Sequence, residues 1–182
     1  GAIYSTGVES NIILNGGILL GNTSLVDGGA IYAEKTNVQI NDIIIANNYS
    51  GRNGASINMQ GGEINIYNGL MTNNTARSHA GGIYICNYDR NGANIQGTLT
   101  MYGGEISNNH SNYACGFIMY YGAKGYLKGG KIINNTVTDN SGGVADYWDS
   151  ELVMDGGTIA NNVVEYHNNE NTGGGGVLIG HN

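Results

Sequence analysis

One short motif recurs along the chain at nearly constant spacing, and this repeat constrains the fold more than any other feature. In six places an apolar residue is followed three positions later by Asn, as in Leu19-Leu20-Gly21-Asn22. The six Asn residues are 26, 26, 35, 26 and 27 positions apart: Asn22, Asn48, Asn74, Asn109, Asn135 and Asn162. A period of this length indicates a solenoid, in which each repeat stacks on its neighbours.

Each repeat contains three short strand-like runs. Gly28-Gly29-Ala30-Ile31 illustrates the first run, Val38-Gln39-Ile40 the second and Ile44-Ile45-Ala46 the third. The period is too short for a propeller blade and has no helical pattern. With 32 Gly the chain must turn often. We therefore predict an all-β parallel β-helix with three short strands per coil and about seven coils. Residues 1–182 are interpreted as a single domain, a segment of a longer repeat array.

Stacking the repeats places apolar residues in columns that form the predicted core. One column belongs to the first strand, with a one-residue slip predicted in the third coil: Ile3, Ile31, Ile57, Ile83, Phe117, Val144 and Val177. Two belong to the second strand: Ile12, Val38, Ile64, Leu99 and Leu152, then Leu14, Ile40, Ile66, Met101, Leu127 and Met154. One belongs to the third strand: Leu19, Ile45, Met71, Ile106, Ile132 and Ile159. A single coil has too few apolar groups to be stable alone, so the array must fold as a stack.

The six Asn residues that end the motif form a column without exception. Stacked amides can bond to one another and to turn backbone, which predicts a structural Asn ladder. Glycosylation is the alternative, because five Asn residues begin Asn-x-Ser/Thr sequons. These are Asn22, Asn48, Asn73, Asn109 and Asn134.

The repeats resemble those of chlamydial polymorphic outer-membrane proteins and related bacterial adhesin passengers. The resemblance is carried by residues 28–31 and by the tetrad from Ile45 to Asn48, although those families have Phe where this chain has Leu, Ile or Met. The chain also resembles the β-helical repeats of anaerobic-fungal scaffoldins. The resemblance covers nearly the whole chain and implies a right-handed, single-stranded, pectin-lyase-like β-helix. It indicates fold more than function.

Composition restricts the partners that we expect. The net charge of −7 and a pI near 4.8 argue against nucleic acid and anionic membrane surfaces. No apolar run approaches the roughly 20 residues needed to span a bilayer, so we expect no membrane insertion. Cys86 and Cys115 are predicted to be free thiols, because the repeat places them too far apart to bridge.

Many β-helix relatives act on acidic polysaccharides, so catalysis must be considered. Hydrolysis needs two carboxyl groups facing each other, and elimination needs a base and usually a metal. The densest acidic group is Asp146, Asp149 and Glu151 around Trp148, which we interpret as a solvated turn, with a weak Ca²⁺ site or catalysis as alternatives. The histidines share no spacing: His79, His110, His167 and His181. We predict no catalytic residues, no metal and no cofactor.

A possible glycan-binding strip is the most specific site prediction. Tyr120 and Tyr147 should occupy one outward column, with rings about 5 Å apart, and Tyr121 and Trp148 follow them. An insertion at residues 87–94 explains the single 35-residue spacing and should overhang the strip. Two of its residues, Asp89 and Arg90, can bond sugar hydroxyls. The alternative is that these aromatic residues only fill the turn.

The sequence thus favours a non-catalytic structural, scaffolding or adhesive module of a large secreted or cell-surface protein. Its expected partners are neighbouring β-helix coils or domains of the same chain, with glycans or surface proteins as further possibilities. A carbohydrate-binding module is the first alternative, and a polysaccharide lyase or hydrolase is the second.

Overall fold

The computed structural model describes residues 1–165 and 174–180. Within them the chain is all-β and every pairing between strands is parallel. Six complete coils and the first strand of a seventh stack along one axis. This confirms the predicted right-handed parallel β-helix, and the three sheets agree with a three-sided coil.

The first and second strands of every coil share one ten-stranded sheet. In the first three coils they are fused into the long strands β1 (Ile3–Leu14), β4 (Ile31–Ile40) and β7 (Ile57–Ile66). From the fourth coil they separate into β10 (Ile83–Cys86) and β11 (Gly97–Met101), β14 (Phe117–Tyr120) and β15 (Lys124–Leu127), β18 (Val144–Tyr147) and β19 (Glu151–Met154), followed by β22 (Val177–Gly180).

Two six-stranded sheets complete the coil. The third strands are β2 (Ile18–Leu20), β5 (Ile44–Ala46), β8 (Leu70–Thr72), β12 (Glu105–Ser107), β16 (Lys131–Ile133) and β20 (Thr158–Ala160). A further short strand follows the Asn motif, although the repeat pattern does not distinguish it from the third strand. These strands are β3 (Thr23–Ser24), β6 (Tyr49–Ser50), β9 (Thr75–His79), β13 (His110–Tyr113), β17 (Thr136–Asp139) and β21 (Val163–Val164).

The core follows the predicted columns. Residues of each column lie opposite one another in the strand register, and the central ones belong to a single buried cluster. The predicted slip in the third coil is wrong: Ile31 pairs with Ile57 without a shift, because Ser56 simply takes the place of Ala30. The register shifts instead between Thr6 and Ser10 of β1.

The Asn ladder is confirmed. At the centre of the stack, Asn109 Nδ2 donates to Asn135 Oδ1 and to the carbonyl oxygen of Met71, both at 3.0 Å. The backbone N–H of Asn109 donates to the same Asn135 oxygen. Every link from Asn22 to Asn162 repeats the side-chain and backbone bonds to the next Asn. The ladder amides also donate to carbonyl oxygens of the third strands that would otherwise be buried without a donor.

Two further expectations concern thiols and membranes. Cys86 and Cys115 are both free and buried, as predicted. Burial raises the pKa of Cys115 to about 12. Among residues 1–165 and 174–180 there is no helix of the length and apolarity that a bilayer crossing requires.

Candidate functional site

The outward side of the first strands in coils four to six is covered rather than open to solvent. A second buried cluster forms there, and its members are Ala80, Cys86, Ala114, Ile118, Tyr120 and Ala145. Tyr84, Tyr147 and Trp148 pack against its edge. Of the predicted aromatic strip, Tyr120 therefore belongs to this apolar layer, and Tyr147 and Trp148 lie at its edge.

Within the strip, rings on neighbouring coils stack as their shared columns predict. Tyr120 and Tyr147 have ring centroids 5.4 Å apart with planes 14° from parallel. Tyr121 and Trp148 stack at 4.7 Å and 11°. Tyr121 and Trp148 both adopt positive φ, 60° and 50°, directly after their strands end. Tyr88 of the insertion meets Tyr121 edge-on at 5.0 Å.

Only part of the strip reaches the surface. Tyr120 is 7 % exposed and lies in contact with Tyr121, Tyr147 and Trp148. Burial also raises its pKa. Tyr121 and Tyr88 are exposed, and Trp148 and Tyr147 are half-buried. The surface that a ligand can touch is thus made by Tyr88, Tyr121, Tyr147 and Trp148.

The charged groups of the insertion are paired with the second coil. Asp89 Oδ2 lies 2.5 Å from Lys35 Nζ, and Arg90 Nε donates to Glu34 Oε2 at 2.6 Å. Arg90 also donates to the Tyr4 hydroxyl of the first coil. Lys35 and the neighbouring N–H groups hold the pKa of Asp89 below its usual range. The structure therefore places Tyr88, and not the charges of Asp89 or Arg90, against the aromatic strip.

A separate cavity of about 300 Å³ lies where Arg90 meets the first two coils. Tyr4 and Tyr32 line it as a stacked pair, 5.1 Å apart. The Arg90 guanidinium carbon lies 5.6 Å from the centre of the Tyr4 ring. Asp27 contributes a carboxylate that is itself bonded to Arg52. Tyr4 and Tyr32 each follow the Ile of the first-strand column, so the repeat places them in one column, but nothing in the repeat indicates that the insertion folds back over them.

The acidic group around Trp148 does not converge. Asp146 occupies the register position of the core residue Met119 and is buried, which raises the pKa of its carboxyl. Glu151 is exposed and lies 3.6 Å from Lys124, and Asp149 is exposed at a positive φ. Among the described residues no three His, Cys, Asp or Glu side chains are arranged to hold a metal ion. His167 and His181 lie outside the described residues.

Comparisons with protein-family models, with curated proteins and with solved structures found no match to this chain.

Proposed function

We propose that the chain is a non-catalytic structural module, a scaffolding or adhesive β-helix segment of a large secreted or cell-surface protein. The observation that carries this proposal is the uninterrupted hydrogen-bonded stack, in which the Asn ladder links every complete coil to the next. Six coils at about 4.8 Å each make a stack roughly 29 Å long. Such a stack suits a spacer, because each coil adds a fixed length.

The two ends of the stack favour neighbouring coils or domains as partners. Val8 and Leu25 of the first coil are 77 % and 87 % exposed, and Ile179 of β22 is 74 % exposed. Solenoids bury such residues against further repeats or against capping elements. The resemblance to adhesin passengers and fungal scaffoldins supports the same context and an extracellular location.

The test of a non-catalytic role is a product assay. Purified protein is incubated with pectin, alginate and hemicellulose while reducing ends and unsaturated products are measured. We expect no more product than with heat-denatured protein. Product formation that disappears in Asp146→Asn or Glu151→Gln would overturn the proposal in favour of a lyase or hydrolase.

Carbohydrate binding is the second candidate, favoured by two separate aromatic surfaces. Rings stack on the apolar faces of sugars, and a few polar groups fix orientation. The strip offers Tyr121 and Trp148, whereas the cavity offers Tyr4 beside Arg90 and Asp27. The strip lies on coils five and six, and the cavity lies on coils one and two.

The two surfaces can be separated experimentally. Trp148 is the single Trp, so its fluorescence during titration with plant and mucin oligosaccharides reports on the strip. Calorimetry with Tyr4→Ala reports on the cavity, with Tyr67→Ala as a control because Tyr67 is an exposed tyrosine stacked on Tyr102 elsewhere. No fluorescence change and no heat at millimolar sugar would remove this candidate.

A further inference from the structure

The five sequons fall into structurally different classes. Asn48 and Asn109 are members of the ladder, each 1 % exposed. Both amide hydrogens of Asn48 are used, one toward Asn74 Oδ1 and one toward the carbonyl oxygen of Leu19. Asn109 uses both of its own in the same way. A sugar on either nitrogen would replace a ladder hydrogen and would have to enter the stack.

Asn73 and Asn134 are different, because each is the first residue of an Asn-Asn pair. Both are exposed, with φ of 55° and 56°. No hydrogen bond of either side chain is formed within the described residues. Gly21 holds the same position in the first coil at φ 65°, so the turn needs a residue that tolerates this backbone and not an Asn amide.

We propose that Asn73 and Asn134 are the acceptor sites of this chain for N-linked glycans. They occupy the same turn two coils apart, which places them about 10 Å from each other along the axis. In the transfer, Nδ2 forms a bond to the anomeric carbon of an activated sugar and loses one proton. The bond from that carbon to a phosphate oxygen breaks, and the phosphate leaves with the electron pair. A biological role of these glycans rests on the proposed extracellular location of the chain. Glycans at Asn73 and Asn134 would keep this edge of the stack solvated.

Asn22 is the intermediate case. It is half-buried, and its Nδ2 donates to Asn48 Oδ1 at 2.9 Å, the single hydrogen bond that this nitrogen makes among the described residues. We expect its modification to rank between that of the exposed pair and that of Asn48 and Asn109.

The test uses folded, unglycosylated protein, a soluble N-glycosyltransferase and UDP-glucose, with occupancy read from glycopeptides by mass spectrometry. Occupancy at Asn73 and Asn134 should exceed that at Asn48 and Asn109 by at least about tenfold, because the ladder must open locally before it can react. Heat-unfolded protein should lose this selectivity. Because site occupancy is measured without regard to where the protein acts, the glycan-acceptor proposal can be wrong while the proposed structural role remains correct.

A gain-of-site variant provides the matched control. Asn108 sits in the same exposed turn at φ 54° but lacks a sequon, because His110 stands where Thr75 and Thr136 stand in the flanking coils. Its Nδ2 donates only to the hydroxyls of Thr72 and Ser107, at 3.5 and 3.4 Å, and to no ladder residue. His110→Thr should therefore create a new glycan site at Asn108. Equal occupancy at ladder and exposed sequons in folded protein would overturn the proposal. So would no modification of Asn73 and Asn134 under conditions that modify the unfolded chain.

Discussion

Arg90 and Glu34 are 56 residues apart in sequence, yet Arg90 Nε donates to Glu34 Oε2 at 2.6 Å. The bond ties the insertion of the fourth coil to the second coil. Lys35 and Asp89 make a second ion pair beside it. Because Tyr88 of the same insertion rests on Tyr121 of the fifth coil, the insertion bridges coils on both sides of its own.

We expect Glu34→Gln to loosen the insertion. The variant keeps the shape of the side chain but removes the charge that holds Arg90, so trypsin should cleave after Arg90 several times faster than in the parent. Glu105→Gln is the control, since Glu105 forms no ion pair among the described residues. Equal cleavage rates in the two variants would mean that the pair does not hold the insertion.

Asn58 should be replaceable with a gain in stability. It lies between Tyr32 and Tyr84 in the strand register, is fully buried, and neither polar atom of its amide has a partner. Ile118 occupies the same column and is equally buried. Asn58→Leu should therefore raise the free energy of unfolding by about 1–2 kcal/mol, because an unpaired buried amide is removed.

Urea unfolding measures this change. Asn65→Leu is the comparison, because Asn65 is half-buried and donates to Glu63 at the surface. It should bring no such gain. A loss of stability in Asn58→Leu would show that the amide has a partner, such as an ordered water, that the variant removes.

We expect protonation of His79 to lower the free energy of unfolding in mild acid. Burial against Tyr113 and Tyr120 lowers the pKa of His79 from 6.5 to about 4. The unfolded chain thus binds the proton more readily, so the free energy of unfolding decreases as pH falls from 6.5 toward 4 and levels off below that. The loss attributable to this group is roughly 1–3 kcal/mol.

Urea unfolding of the parent and of His79→Gln at several pH values checks this expectation. The variant cannot titrate at this position, so its stability should depend less on pH in that window. Identical pH dependence in the two proteins would contradict the proposed burial of a neutral His79.

Much of the fold could be predicted because its causes are local and repeated. Ile45 and Ile132 recur at one point of the period, so their common column follows from the spacing. The path of the insertion could not be predicted, because it depends on contacts of Asp89 and Arg90 with the first two coils that no other coil repeats. The interpretation of Asp146 as part of a solvated turn is wrong, because its register with the core residue Met119 gives it a buried position.

Only the shared columns of the aromatic strip could be predicted from the repeat, and the burial of its side chains could not. Tyr120 and Tyr147 follow from the repeat, which sets which side chains share a column. The burial of Tyr120 depends on the surrounding turns and on Trp148, whose backbone conformation the repeat does not determine.

The Asn ladder holds the stack together, and urea unfolding of Asn109→Ala beside Asn108→Gly tests this directly. Asn109→Ala removes the acceptor of Asn74 and the donor to Met71, so it should lower the free energy of unfolding by roughly 1–3 kcal/mol. Asn108→Gly keeps the positive φ without a ladder contact, so its effect should stay within about 0.5 kcal/mol. Equal or negligible effects of the two substitutions would mean that the ladder does not hold the stack together.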